Sequence, residues 1–398
     1  MVLQSVHSDR SGRVFVAADY GAAALDGPSP AALERASALP PDAQLVPLAD
    51  RAAIGLDRRG QPRSLGPTRW AVAAVLGAGH LRTHLPAIEA ASGASPLEAL
   101  PYAAVAADAR GDLVVAAMPL GASLEMSKDV STAITARLGT EPSNRLLRQL
   151  ARCAREYQCP YAQNAFRGQG ECALPLGAPS ADGAAPVVAL RRRAERAPLE
   201  PVALKIGVDD AVAVAIAHLA AGGASVSFGH ACEGEPLGGV RSVVEVTARI
   251  RAATATGAIV LRTSGSSAAA LARVAEAGLD RVVIALASAH GPMYERVHRP
   301  LAHRWTDVRA SLREAAARNL AITVELLALP GLSDRATELR ALVALLGELP
   351  SGTVLEPVDL SADPYTLLAA LPAESGIVGM AELIDRLRVD AAHVRLAA

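Results

Sequence analysis

The chain has 398 residues, 51% of them apolar, with 39 basic against 40 acidic side chains. That length allows two or three domains and a sizeable buried core. A net charge of −1 excludes a general polyanion binder, since non-specific binding to nucleic acid or a membrane surface needs a basic field.

No uncharged apolar run reaches the length of about 18 residues that a membrane-spanning helix needs. The first ten residues lack a basic region followed by an apolar stretch, so no secretion signal is expected. The four cysteines, Cys153, Cys159, Cys172 and Cys232, are too few and too scattered for a disulfide framework. Reduced thiols in a cytoplasmic protein are the expectation.

Short apolar runs open the chain. Residues 14–18 and 21–25 read as strands flanking a turn. Residues 103–107 and 113–118 flank Asp108-Ala-Arg-Gly-Asp112, a hairpin signal. Residues 1–125 are thus predicted to form a β-rich or α+β domain. Two helical patterns at 127–138 and 143–158 make 126–170 a helical connector. Cys153 lies on the apolar face of the second, the ordinary place for a small core residue.

From 171 to 398 the pattern alternates. Strands are predicted at 173–176, 224–228, 258–262, 281–288, 321–327 and 353–357. Helices are predicted at 209–221, 240–255, 267–277, 306–318, 334–346 and 380–387. Alternation of this kind means βα units and a parallel sheet, and six units fit a partial barrel better than a closed eight-fold one. Residues 177–201 interrupt the rhythm with an Ala-, Pro- and Gly-rich stretch and the basic run Arg191-Arg-Arg-Ala-Glu-Arg196.

Ligands of parallel βα sheets sit beyond the carboxyl ends of the strands. Strand two is followed by Gly229-His230-Ala231-Cys232-Glu233-Gly234-Glu235-Pro236, and strand three by Thr263-Ser264-Gly265. Ser288, His290, Tyr294 and His298 follow strand four. Leu329-Pro330-Gly331-Leu332-Ser333-Asp334 follows strand five, and Asp359 and Asp363 follow strand six. Glu233 and Glu235 could accept hydrogen bonds from an ammonium group or ribose hydroxyls. The blander reading of Ser333 and Asp334 is a helix cap.

The order of these strand ends resembles the radical SAM superfamily. Residues 225–237 look like its second strand, where a Gly-Gly-Glu-Pro turn binds the amino group of S-adenosylmethionine. Residues 277–288 with Tyr294 and 298–300 look like its fourth strand, where a serine reaches the ribose. Residues 326–334 look like its fifth, against which adenine lies. The resemblance implies a partial (β/α)6 barrel and S-adenosylmethionine as cofactor. Its implied contacts are Cys232, Glu233, Gly234, Glu235, Pro236, Thr263, Ser264, Ser288, Leu329, Pro330 and Gly331. It also implies a four-iron–four-sulfur cluster held by three cysteines after strand one. That loop has none, and Ser180, Ala184 and Val187 stand near the expected positions. The reading is a degenerate member, a pseudoenzyme or accessory protein that keeps the S-adenosylmethionine site, with a protein or peptide partner open.

Two rival readings stand beside it. One is an active radical enzyme with an unrecognised cluster site. Cys172 is expected below strand one and Cys232 above strand two, too far apart for one cluster. The other is a metal-dependent barrel hydrolase or lyase using His230, Glu233, Glu235 and His290, although no H-x-H or H-E-x-x-H spacing is present. His218 reads as a core histidine, and His80 and His84 as a solvated pair on one helix face. Nucleic-acid binding is disfavoured by the charge balance and by aromatics at only 3%.

Overall fold

The computed structural model describes residues 3–27, 29–77, 79–98, 100–120, 130–176, 206–230, 233–358, 363–372 and 376–397. The predicted loop at 177–201, including Ser180, Ala184, Val187 and the Arg191–Arg196 run, lies outside them. So do Cys232 and Asp359.

The N-terminal part is antiparallel β-structure. Strands Gln4–Ser8, Val14–Asp26, Gln44–Leu56, Trp70–Val75 and Tyr102–Ala107 pair in a ring. The ring closes because Tyr102–Ala107 pairs back onto Gln4–Ser8. Closure removes exposed strand edges.

The predicted turn between 18 and 21 is absent, because Val14–Asp26 runs through it as one strand. The hairpin at 108–112 has two unpredicted counterparts. Asp9 Oδ1 accepts from the backbone N–H of Ser11 and Arg13, Asp57 Oδ1 from Arg59 and Gln61, and Asp108 Oδ1 from Arg110 and Asp112. One short carboxylate thus closes each turn on its own backbone. His80 and His84 share no helix, since His80 opens the short strand His80–Arg82.

Three helices follow, α1 (Ser131–Thr140), α2 (Arg145–Glu156) and α3 (Pro160–Arg167). Leu146, Leu147, Leu150, Ala151 and Ala154 bury one face of α2. Its N-terminus is fixed by Asn144, whose Oδ1 accepts from Leu147 N at 2.9 Å and whose Nδ2 donates to Asp210 O at 3.2 Å. Asn144→Ala should cost about 1 kcal/mol, read as a shift of the urea midpoint without a change in slope. No measurable shift would mean that water replaces the cap.

The C-terminal part is a mixed α/β unit around a seven-stranded parallel sheet in sequential order. Its strands are β1 (Glu171–Ala173), β2 (Ser225–Phe228), β3 (Ala258–Thr263), β4 (Arg281–Leu286), β5 (Ala321–Leu327), β6 (Val354–Val358) and β7 (Arg395–Leu396). Between them lie α4 (Val208–Ala220), α5 (Val240–Ala253), α6 (Ala268–Glu276), α7 (Gly291–His298), α8 (Trp305–Ala317), α9 (Ala336–Gly347), α10 (Pro364–Ala369) and α11 (Met380–Asp390). The short helices α3, α7 and α10 were not predicted. Each has Pro in its first turn, which presets φ for a helix start but gives little periodic signal.

Alternation along the strands separates two faces. Val226, Phe228, Ile259, Leu261, Val282, Ile284, Ile322, Val324 and Leu326 join the helices in one apolar core. The other face carries the intervening residues, Ser227, Val260, Arg262, Val283, Thr323 and Glu325 among them. Strand one starts two residues earlier than predicted. Cys172 therefore lies inside β1 rather than below it, fully buried on the helix side.

His218 is a buried core histidine with Nε2 3.1 Å from Gly170 O. Ser333 and Asp334 do not cap α9, which begins after Arg335. They close the preceding turn instead: Ser333 Oγ accepts from Leu329 N at 3.0 Å, and Asp334 Oδ1 accepts from Gly331 N at 2.7 Å.

Candidate functional site

The turn after β2 is built by its own carboxylates. Gly229 has φ +86°, and a Cβ there would fall 1.7 Å from Arg262 O, so only glycine lets this turn lie on β3. Glu233 accepts from Gly229 N at 2.9 Å and His230 N at 3.0 Å. Glu235, 2% exposed, accepts from four donors. They are Leu237 N at 3.1 Å, Thr263 Oγ1 at 2.5 Å, Ser264 N at 2.8 Å and Ser264 Oγ at 2.7 Å. A carboxylate has about four lone-pair sites, so these donors fill it. The structure thus brings Glu235, Thr263 and Ser264 together, as contacts with one another. A cleft of about 40 Å³ touches Glu233 and Pro236 beside Leu176, Phe228 and Val243.

Ser288 stands apart from that turn. Its hydroxyl lies 2.8 Å from both carboxylate oxygens of Glu338, in the first turn of α9, and 3.1 Å from His290 O. Glu338 is buried. Burial pushes its carboxyl up to about 7, against the opposing pull of the Ser288 hydroxyl and of Arg335. Leu329, Pro330 and Gly331 are all buried beside Ser288, with Leu329 in one apolar cluster with Ala287. Arg335 Nε donates to Gly331 O at 2.7 Å.

On the face of the sheet away from the helices lies a charged cluster that sequence reasoning missed. The Arg262 guanidinium binds Glu171 through Nε and Nη2 at 3.0–3.2 Å and Glu325 through Nη1 at 2.5 Å. His230 Nε2 is 2.8 Å from Ser227 Oγ and 3.6 Å from Glu171 Oε1. The Tyr161 ring from α3 lies 4.3 Å from the His230 ring and 5.7 Å from the Arg262 guanidinium carbon. The available signal was a charge inside an apolar strand, Arg262 in Ala-Ile-Val-Leu-Arg-Thr and Glu325 in Ala-Ile-Thr-Val-Glu-Leu-Leu.

Burial pushes the Cys172 thiol far above the ordinary range and Cys159 up to about 11, and it also raises Cys153. Cys172 lies on the helix side of β1, Cys153 in α2 and Cys159 just before α3. Among the described residues no three His, Cys, Asp or Glu side chains stand grouped for a metal ion. His298 Nε2 already accepts from Ala287 N at 3.0 Å, and His290 is the residue before α7.

No protein family's sequence model matches the chain, and no curated protein matches it. Solved structures give distant likenesses. HydG, a maturase of the FeFe-hydrogenase, is 13% identical with a TM-score of 0.40, covering 68% of this chain and 63% of its own, less than two thirds of its length. A spore photoproduct lyase variant is 11% identical, with a TM-score of 0.41 over 68% of this chain and 95% of its own. Dihydropteroate synthase from Yersinia pestis is 16% identical, with a TM-score of 0.30 over 58% of this chain and 87% of its own. Likenesses this distant carry no argument about the site, so the functional reading rests on the residues. Among the described residues no helix is long and apolar enough to cross a membrane.

Proposed function

We propose that this chain is a radical-SAM-like protein that does not cleave S-adenosylmethionine and works as a cytoplasmic accessory protein for a protein or peptide partner. The parallel sheet is read as a partial (β/α)6 barrel with a short seventh strand, preceded by the β-domain and the helical connector. The observation that carries the reading is the Glu235 carboxylate, filled by Leu237, Thr263 and Ser264 of its own chain. An ammonium group arriving there would have to displace a buried hydroxyl or a backbone N–H, each costing about 1–3 kcal/mol if left unpaired. Ser288 is likewise engaged by Glu338. The cradle inferred from the sequence is thus proposed to survive as a structural lock rather than as an open binding site.

The test is equilibrium dialysis of S-adenosylmethionine with the purified full chain, before and after anaerobic incubation with iron and sulfide. Negligible saturable binding and well under one iron per chain are expected in both states. One bound S-adenosylmethionine and about four irons per chain after reconstitution would restore the active-enzyme reading.

A further inference from the structure

Ligands of parallel sheets bind beyond the carboxyl ends of the strands. Here that end is divided. Near β2 and β3 lie His230, Arg262 and the Glu233–Glu235 turn. Beyond β4–β6 lies the N-terminal β-domain, and it arrives through three separate contacts.

Leu85, fully buried, belongs to an apolar cluster with Ala287, Met293, Leu327, Leu329 and Leu332. The next residue, Pro86, accepts a hydrogen bond from Tyr365 Oη of α10 at 2.9 Å. The third contact is glycine against glycine. Gly331 has φ +87° and Gly27 φ +66°, and a Cβ on Gly331 would lie 3.1 Å from Gly27 Cα. A Cβ on Gly27 would in turn meet Ile377 Cγ1 at 3.0 Å. Leu85 and Pro86 are held on the β-domain by pairing with Leu25 and Ala24, so the turn at Gly27 and the Leu85 knob move as one piece.

We propose that the N-terminal domain is an intramolecular cap, with Leu85 and the Gly27 turn holding shut the ligand-binding end of β4–β6. At this end the contacts are an apolar knob, a neutral hydrogen bond and a close backbone approach, while Leu81 of the same domain is anchored separately in the helix-side core. This rests on the accessory-protein reading above for the expectation that the resting protein does not bind a nucleoside. It adds the reason on the β5 side, where Leu329 and Leu332 are covered by another part of the same chain.

The test uses the full chain as wild type, Leu85→Asp and Tyr365→Phe, with S-adenosylmethionine as probe. Two quantities are read, hydrogen exchange in peptides covering 326–333 and affinity by equilibrium dialysis. Leu85→Asp, with unchanged far-ultraviolet circular dichroism, is expected to exchange at least about 10-fold faster and to bind the probe saturably, at least about 10-fold more tightly than the limit that wild type sets. Tyr365→Phe loses one hydrogen bond and should accelerate exchange about 5-fold with a matching smaller gain in affinity. It serves alone if Leu85→Asp does not fold. Faster exchange without a gain in affinity would overturn the cap while leaving the accessory-protein reading intact. Unchanged exchange in the folded variants would also overturn it. Saturable binding by wild type, as tight as that of the variants, would sink both inferences, and the wild-type sample alone identifies that case.

Discussion

Arg262→Leu should destabilise the protein by about 3–5 kcal/mol, the range for removing one member of a buried ion pair. The guanidinium sits between Glu171 and Glu325, with side-chain exposures of 11%, 18% and 2% respectively. Removing it takes away a cation that both Glu171 and Glu325 bind, and the cost is the desolvation of buried charge more than the lost attraction. A further result follows from this cause. Arg262→Leu combined with Glu325→Leu should recover part of the loss, because one buried charge is gone. Urea unfolding of the single and double variants measures both. A cost below about 1 kcal/mol, typical of an exposed pair, would mean that water reaches the cluster freely.

Glu338 should give the protein a stability that falls as pH rises. Its carboxyl is raised to about 7 from an ordinary value of 4.5 because burial penalises the charged form. The folded state therefore holds the proton more tightly than the unfolded state. No penalty applies below the unfolded value, and the full penalty is reached above the folded one. Between pH 5 and pH 8 this group alone should remove about 2 kcal/mol. In Glu338→Gln that slope should vanish, since the amide has no charge to desolvate and its oxygen can still accept from Ser288. The variant should therefore gain on wild type by about 2 kcal/mol on going from pH 5 to pH 8, read from urea midpoints at both. A constant difference between wild type and variant would mean that Glu338 titrates as an exposed glutamate.

The parallel sheet was legible because its strands and helices carry local signals. Residues 281–288 and 321–327 are apolar runs between amphipathic helices, and they appear as β4 and β5 in sequential order. Asp108-Ala-Arg-Gly-Asp112 gave its hairpin for the same reason, since a short carboxylate and a glycine define that turn within five residues. The equivalent turns at Asp9 and Asp57 carry the same chemistry but were not read as turns. Helices α7 and α10 went unseen because one or two turns give no periodicity to detect.

The sites were less legible, for a different reason. Sequence placed Glu233 and Glu235 at a strand end as carboxylates able to accept hydrogen bonds from a ligand, and the resemblance added Thr263, Ser264 and Ser288 as contacts. Whether a carboxylate is spare depends on which donors folding brings to it, and Thr263 lies 28 residues from Glu235 while Ser288 lies 50 from Glu338.

By itself the sequence determined the alternation of strands and helices, the near-neutral charge and the absence of cysteine from the loop after strand one. Local propensity and composition decide such things within a few residues. Only the tertiary structure decided that Glu235 is filled by its own chain, that Arg262 joins Glu171 to Glu325, and that Leu85 reaches the end of β4–β6. Each depends on residues far apart in the chain meeting at a few ångströms, and on burial, which sets the energy of a charge only once its neighbours are in place.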